Sequence, residues 1–212
     1  MKSLGEKYNF VAGQNLDRLC AISDGLFSVA MTLLVLDLRV PATEAIHSEG
    51  DLWHALVVLS TRLVPYFMCF LTLGIFWIGQ QTQLNMLSRA DRNLSWIHIG
   101  FLLAVSLLPF STALLATFLT FRVALLVYWF NVLLLGVILY CAWRYAAHAG
   151  LLQPETSDRM RIAVERRIVL AQALYAFGAA LCVINTYWSI AFIVALQLNY
   201  AIAPRIKLLS QL

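Results

Sequence analysis

The sequence predicts an all-α integral membrane protein with six transmembrane helices per subunit and both termini cytoplasmic. Three observations predict it. Of 212 residues, 61% are hydrophobic and 12% are charged, whereas a soluble domain carries about 45–50% apolar and about 25% charged residues. The excess apolar surface has nowhere to go but lipid. Six stretches approach the roughly 20 apolar residues that a spanning helix needs, and Lys and Arg are distributed unequally between alternate loops.

The first span, about 16–38, follows a polar segment and stops at Arg39-Val40-Pro41. A spanning-length apolar stretch behind a polar start does not read as a cleavable signal peptide. The second, about 52–78, contains Arg62 and Pro65; the third, about 94–118, contains Pro109. The fourth runs about 123–147. The fifth, about 162–184, and the sixth, about 187–203, form a hairpin about the tight turn Asn185-Thr186. The longest inner linker, about 150–161 with Pro154, separates spans one to four from this hairpin. No segment outside the spans is long enough for a core of its own, so residues 1–212 read as a single six-helix domain.

With the N-terminus inside, the inner segments hold Lys2, Lys7, Arg18, Arg89, Arg92, Arg144, Arg159, Arg161, Arg166, Arg167, Arg205 and Lys207, twelve of the fifteen Lys and Arg. Arg39, Arg62 and Arg122 lie outside with the acidic stretch 44–51. That bias is a positive-inside signal, and an even number of spans returns the C-terminus to the cytoplasm. The net charge of +4 is dispersed in short loops, which argues against the basic patch of a nucleic-acid binder. Cys20, Cys69, Cys141 and Cys182 stand alone in apolar stretches and read as small buried hydrophobes, neither a disulfide framework nor a metal site. Trp53, Trp96, Tyr128, Trp188 and Tyr200, near span ends, read as interface anchors.

Polar groups inside a span are costly and mark candidate sites. The first helix has the densest set. Asp24 lies about 12 Å in from the inner end at 1.5 Å per residue. Arg18, six residues earlier, is about 240° round the helix, so partners on other helices are expected: His98, at similar depth on the third span, or Gln80 and Gln81 on the second. The expected polar network is Arg18, Ser23, Asp24 and His98. Gly25, Val29, Thr32, Leu33 and Leu36 share one helical face. Repeated around an axis, such a face forms hydrophobic constrictions, which can gate by dewetting, with a hydroxyl ring between them. Ordinary helix packing gives the same stripe.

The run Arg18-Leu-Cys-Ala-Ile22-Ser23-Asp24, followed by Thr32-Leu-Leu-Val-Leu-Asp-Leu-Arg-Val-Pro41, resembles the RxxxFSD signature of the transmembrane protein 175 family. Gly74-Ile75-Phe76-Trp77-Ile78 is similar to the second-helix pattern of its prokaryotic members, and Asp91-Arg92 through Leu114-Leu115 to the third. The resemblance implies a potassium-selective or potassium-permeable cation channel with no reentrant pore loop. It implies a homo-oligomer, a tetramer of six-helix subunits, in the prokaryotic plasma membrane. By it, Val29 falls on the principal constriction, Leu33 and Leu36 on further apolar rings, Thr32 on a pore hydroxyl, and Arg18, Ser23 and Asp24 on the signature. Ile22 replaces the signature Phe, Val29 is shorter than the usual Ile or Leu, and Gln80-Gln81 stands where paired His is common. No cofactor is implied, nor any metal beyond permeant potassium.

The sequence contains no TVGYG-like filter, so any potassium preference must come from something other than a ring of filter carbonyls, such as constriction size and dehydration cost. A proton-coupled secondary transporter or proton pathway is the alternative, although only Pro65 and Pro109 interrupt spans and spans three to six carry no charge at mid-depth. An enzyme is not indicated: there is no HExxH, GxSxG or Walker motif, and His47, His54, His98 and His148 are scattered. A structural or assembly protein without a pore is a further possibility.

Overall fold

The computed structural model describes residues 15–42 and 46–202. Lys2, Lys7, Arg205 and Lys207 of the expected inner face, Glu44 and Ala45 of the outer loop, and residue 203 of the sixth span lie outside the described residues. Among the described residues six helices follow in order: α1 (Leu16–Leu33), α2 (Glu49–Leu84), α3 (Arg92–Thr117), α4 (Arg122–His148), α5 (Asp158–Ala180) and α6 (Thr186–Ile202). Five are long and apolar enough to cross a membrane; α6 is apolar but has 17 residues, about 25 Å of helix against a hydrocarbon core of about 30 Å.

Short polar residues start most of these helices by accepting a bond from an otherwise orphaned backbone N–H. Asn15 caps Arg18, Ser48 caps Asp51, Asp91 caps Leu94, and Ser157 caps Met160. The Ser157 cap begins α5 at Asp158, ahead of the expected 162, so its arginine-rich first turns are helical. The α-helical part of the first span ends at Leu33 and tightens into a 3₁₀ turn over Leu34–Asp37. The largest departure is α2. Its 36 residues run to Leu84 rather than Ile78, because Gln80 and Gln83 are buried against neighbouring helices and continue the helix where hydropathy falls. Pro65 and Pro109 lie inside α2 and α3 without ending them, as membrane helices allow when neighbours cover the freed backbone.

The third helix packs against α1, α2 and α4; α4 packs against α5, and α6 returns to α2. Phe101 of α3 is the hub, its ring 6.1 Å from Phe27 of α1 and 6.4 Å from Phe76 of α2. The start of α1, the end of α2, the start of α3 and the end of α4 meet at one end of the bundle. There Leu19, Leu84, Leu94, Ala146 and Leu151 form a second apolar cluster, and the 85–91 and 149–157 loops are stitched by Ser88 N–H to Leu151 O and Gln153 N–H to Met86 O. This is the end that carries the basic loops expected inside.

Lipid tails are as apolar as Leu, so burying Leu between membrane helices is not itself a driving force; small residues and interhelical hydrogen bonds are. Both occur. A methyl on Gly136 of α4 would overlap the Gln172 amide of α5, and one on Gly178 would meet Phe192 of α6 at 2.8 Å. Ser189 donates to the Gly178 carbonyl. Deeper in the bundle, Gln197 of α6 donates to Thr72 of α2 at 2.7 Å and to Tyr128 of α4 at 3.1 Å, while the two hydroxyls are 2.7 Å apart. Tyr128 is therefore a fully buried link among three helices, not the interface anchor its place in the sequence suggests. Cys69 and Cys182 are buried, Cys20 is half-buried, and Cys141 is exposed.

Candidate functional site

The first helix has two faces. Leu19, Ser23, Phe27, Ala30 and Leu34 are buried against the bundle. The other face is open: Ile22, Gly25, Val29, Thr32, Leu33 and Leu36 are exposed in the single subunit, Val29 by 55% and Leu36 by 68%. Nothing lies within 4 Å of where a Gly25 side chain would begin. The candidate constriction residues Val29 and Leu33 thus share one open face with Thr32. Leu36 continues that face through the 3₁₀ turn.

The open face is not purely apolar. Asp24, Ser28 and Thr32 recur every four residues along it, and all three are exposed. The Thr32 hydroxyl donates to the carbonyls of Ser28 and Val29 at 3.0 and 2.9 Å. With its hydrogen turned back on the helix, the oxygen's lone pairs are left for an outside donor or cation.

A polar bracket holds the inner half of α1 to α2. The Trp77 indole and the Gln81 amide both donate to Asp24 Oδ1, at 2.8 and 2.7 Å. Ser23 donates to the Leu19 carbonyl at 2.8 Å and accepts from Gln80 at 3.1 Å. Trp77, Gln80 and Gln81 are three and four residues apart, one face of a helix, so α2 presents them together. Among the described residues no bond reaches Asp24 Oδ2, and no cation pairs with it.

The expected network is therefore drawn differently. Ser23 and Asp24 join α2, and no hydrogen bond links them to Arg18 or His98. The Arg18 side chain is exposed and makes no ion pair among the described residues. His98 is buried on α3, where its Nδ1 lies 3.1 Å from the Leu94 carbonyl of its own helix. A carbonyl only accepts, so Nδ1 carries the hydrogen, and Nε2 is buried without a partner. Of the expected candidates, the neutral amides Gln80 and Gln81 on α2 take the role, and Arg18 and His98 do not. The missed partner is Trp77, whose shared face with the two glutamines was the available signal.

Fold and site together define a multi-pass, all-helical membrane protein whose first helix is fastened along one side and bare along the other. A family model described as "Endosomal/lysosomal potassium channel TMEM175" matches residues 18–109, the stretch from the signature arginine to Pro109. The chain is 29% identical over 188 residues to a potassium channel of Streptomyces collinus, covering 86% of this chain and 90% of that protein. It is 29% identical over 189 residues to a potassium channel of Chamaesiphon minutus, covering 87% and 93%. The human endosomal/lysosomal proton channel TMEM175 is 26% identical over 91% of this chain, which spans 37% of that longer protein. The crystal structure of a lysosomal potassium-selective channel TMEM175 homolog from Chamaesiphon minutus superposes with a TM-score of 0.78 at 26% identity, over 90% of this chain and 98% of that one. By sequence in its first three helices, and by fold over nearly its whole length, the chain is similar to the transmembrane protein 175 family.

Proposed function

We propose that the chain is one subunit of a potassium-permeable cation channel whose pore is lined by the open face of α1, and that four copies surround that pore. One observation carries the reading: the face of α1 turned away from its own bundle holds a carboxylate and two hydroxyls at four-residue spacing between apolar side chains. Hydrocarbon would leave Asp24 Oδ2 without a partner, and an ionisable group inside a span is costly unless it faces a partner or water. Around a shared axis that oxygen meets water and ions instead. Val29, Leu33 and Leu36 are then the rings that narrow the pore, and Thr32 offers an oxygen between them. Asp24 Oδ2, free of the α2 bracket, adds negative charge at the inner approach.

Selectivity in such a pore comes from the cost of stripping water from an ion at a narrow apolar ring. Both termini are cytoplasmic on the inner bias of Lys and Arg, and the site of action is the prokaryotic cell membrane. Relatives named as proton channels, together with the carboxylate on the pore face, favour proton permeation as a second current.

The test is the reversal potential of the purified protein in a planar bilayer under opposed potassium and sodium gradients. A current reversing near the potassium equilibrium, and moved toward sodium by Val29→Ala, supports the reading. An intact oligomer that passes no current above the empty bilayer overturns it. Repeating the measurement across a pH gradient reads the proton share.

A further inference from the structure

The end of the bundle opposite the N-terminus of α1 holds a cavity of about 170 Å³, lined by Leu34, Leu38 and Arg39 after α1, Arg62 and Tyr66 of α2, and the Thr112–Thr117 end of α3. Since one water occupies about 30 Å³ of liquid, the space admits a group of several heavy atoms. Two of the three arginines at this end of the bundle converge on it. Among the described side chains, which do not include that of Asp37, neither Arg39 nor Arg62 is in an ion pair, and neither guanidinium has a hydrogen bond. The third, Arg122, is occupied: its Nη2 donates to the Val183 carbonyl at 3.0 Å.

A second observation singles out the same place. Among the described residues, the buried serine and threonine hydroxyls are those of Ser23, Thr72, Ser111, Thr112, Thr186 and Ser189. Five are hydrogen-bonded. The exception is Thr112, which is 3% exposed and whose Oγ1 has no partner. A helical threonine normally returns its hydroxyl to a carbonyl of the preceding turn, as Thr72 does to Met68. Thr112 stands on the wall of the arginine cavity, with a free oxygen and hydrogen.

Depth indicates what would meet these groups. From Leu63 to Leu84, α2 carries no charged residue; that run is about 33 Å of helix, close to the thickness of a bilayer's hydrocarbon core. Arg62 is the first charge beyond it and sits at headgroup level. Arginine's planar fork suits the two-pronged recognition of phosphate oxygens, and a neutral hydroxyl donor completes a cradle.

We infer that the cavity framed by Arg39, Arg62 and Thr112 binds a phosphate-bearing anion, either the phosphodiester of an anionic lipid or a free phosphate. Because Leu34, Leu38 and Arg39 follow α1 directly, the bound anion ties the end of that helix to α2 and α3. The site stands whether or not α1 lines a pore.

The experiment titrates the full chain in neutral detergent with phosphatidylglycerol, phosphatidylcholine or inorganic phosphate, reading bound lipid by native mass spectrometry and the thermal midpoint in parallel. The wild type is expected to take phosphatidylglycerol in preference to phosphatidylcholine, with a raised midpoint. Arg39→Gln with Arg62→Gln should weaken this by about tenfold or more, since each charge-assisted bond is worth that factor. Arg122→Gln should leave it unchanged. Midpoint stabilisation by inorganic phosphate alone, lost in the same double variant, makes the free anion the ligand. Thr112→Val, which keeps shape and loses the hydroxyl, should weaken binding roughly fivefold and decides the matter if the arginine pair does not fold. Equal uptake of the two lipids with no response to phosphate, or full phosphatidylglycerol binding by the double variant, overturns the inference.

Discussion

The Trp77 indole N–H donates to Asp24 Oδ1 at 2.8 Å across the contact between α1 and α2. Gln81 meets the same oxygen at 2.7 Å, so one carboxylate oxygen is fixed and the other is left open. The bracket sets the rotation of α1 about its axis, and with it which residues form the bare face. Hydrogen bonds to a charged group contribute about 1.5–3 kcal/mol; here the exposure of Trp77 and Asp24 favours the lower end. Trp77→Phe is expected to lower the unfolding free energy by about 1–2 kcal/mol. Asp24→Asn, which retains an acceptor, should lower it by less. Trp77→Phe combined with Asp24→Ala should cost less than the two changes summed, because both remove one bond. Strict additivity in a detergent unfolding assay would sink the bracket.

Stability and permeation should separate at Val29. The residue is more than half exposed in the subunit, so Val29→Ala should change subunit stability by no more than about 0.5 kcal/mol. The same substitution widens the proposed ring on every copy, so the potassium preference over sodium should fall and unitary current rise. Val29→Leu should act oppositely, and Thr32→Val should reduce conductance with the ring width kept. Reversal potentials and single-channel amplitudes in planar bilayers check all three. Altered stability with unchanged permeation would return Val29 to ordinary packing.

Much of this architecture was legible because hydrocarbon imposes few solutions. The six apolar runs and the departures at Arg39 and Asn185 are visible in hydropathy and turn chemistry alone. The missed features share one cause: polar side chains buried inside the bundle look like span ends. Gln80 suggested an end to the second span, yet it is buried against Ser23 and α2 continues to Leu84. Tyr128 looked like an interfacial anchor, yet its hydroxyl bonds to helices more than 55 residues away in sequence. Hydropathy measures one side chain at a time, and those pairings exist only once α2, α4 and α6 are side by side. At the site, the spacing of Val29, Thr32 and Leu33 revealed the shared face. Nothing in the spacing could show that Asp24 would prefer an indole and an amide on α2 to His98.

The Thr72, Tyr128 and Gln197 link is expected to hold α6 to the bundle. Interhelical hydrogen bonds in membranes average about 0.6 kcal/mol and reach about 1.7. Gln197→Leu breaks two of them but leaves the Thr72–Tyr128 pair intact, so a loss of about 1–2 kcal/mol is expected. Tyr128→Phe strands Thr72 less, because that hydroxyl also bonds to Met68, and should cost about 1 kcal/mol. Denaturant unfolding of the two variants and their combination checks this. The combination should fall short of the sum, since both changes remove the Gln197–Tyr128 bond.

Close approach of α4 and α5 depends on Gly136. A methyl there overlaps the Gln172 side chain, and the nearest atoms belong to the amide end rather than to backbone, so the strain should be relieved by shortening the partner. Overpacking of this kind costs about 1–3 kcal/mol. Gly136→Ala is expected to destabilise by that amount and to loosen α5 from α4. Gln172→Ala removes an amide whose Oε1 is buried without a partner, so by itself it should cost little. The double variant should recover most of what Gly136→Ala loses. A thermal midpoint in detergent measures each step. Failure of Gln172→Ala to rescue would mean that glycine serves the backbone of α4 rather than the space beside it.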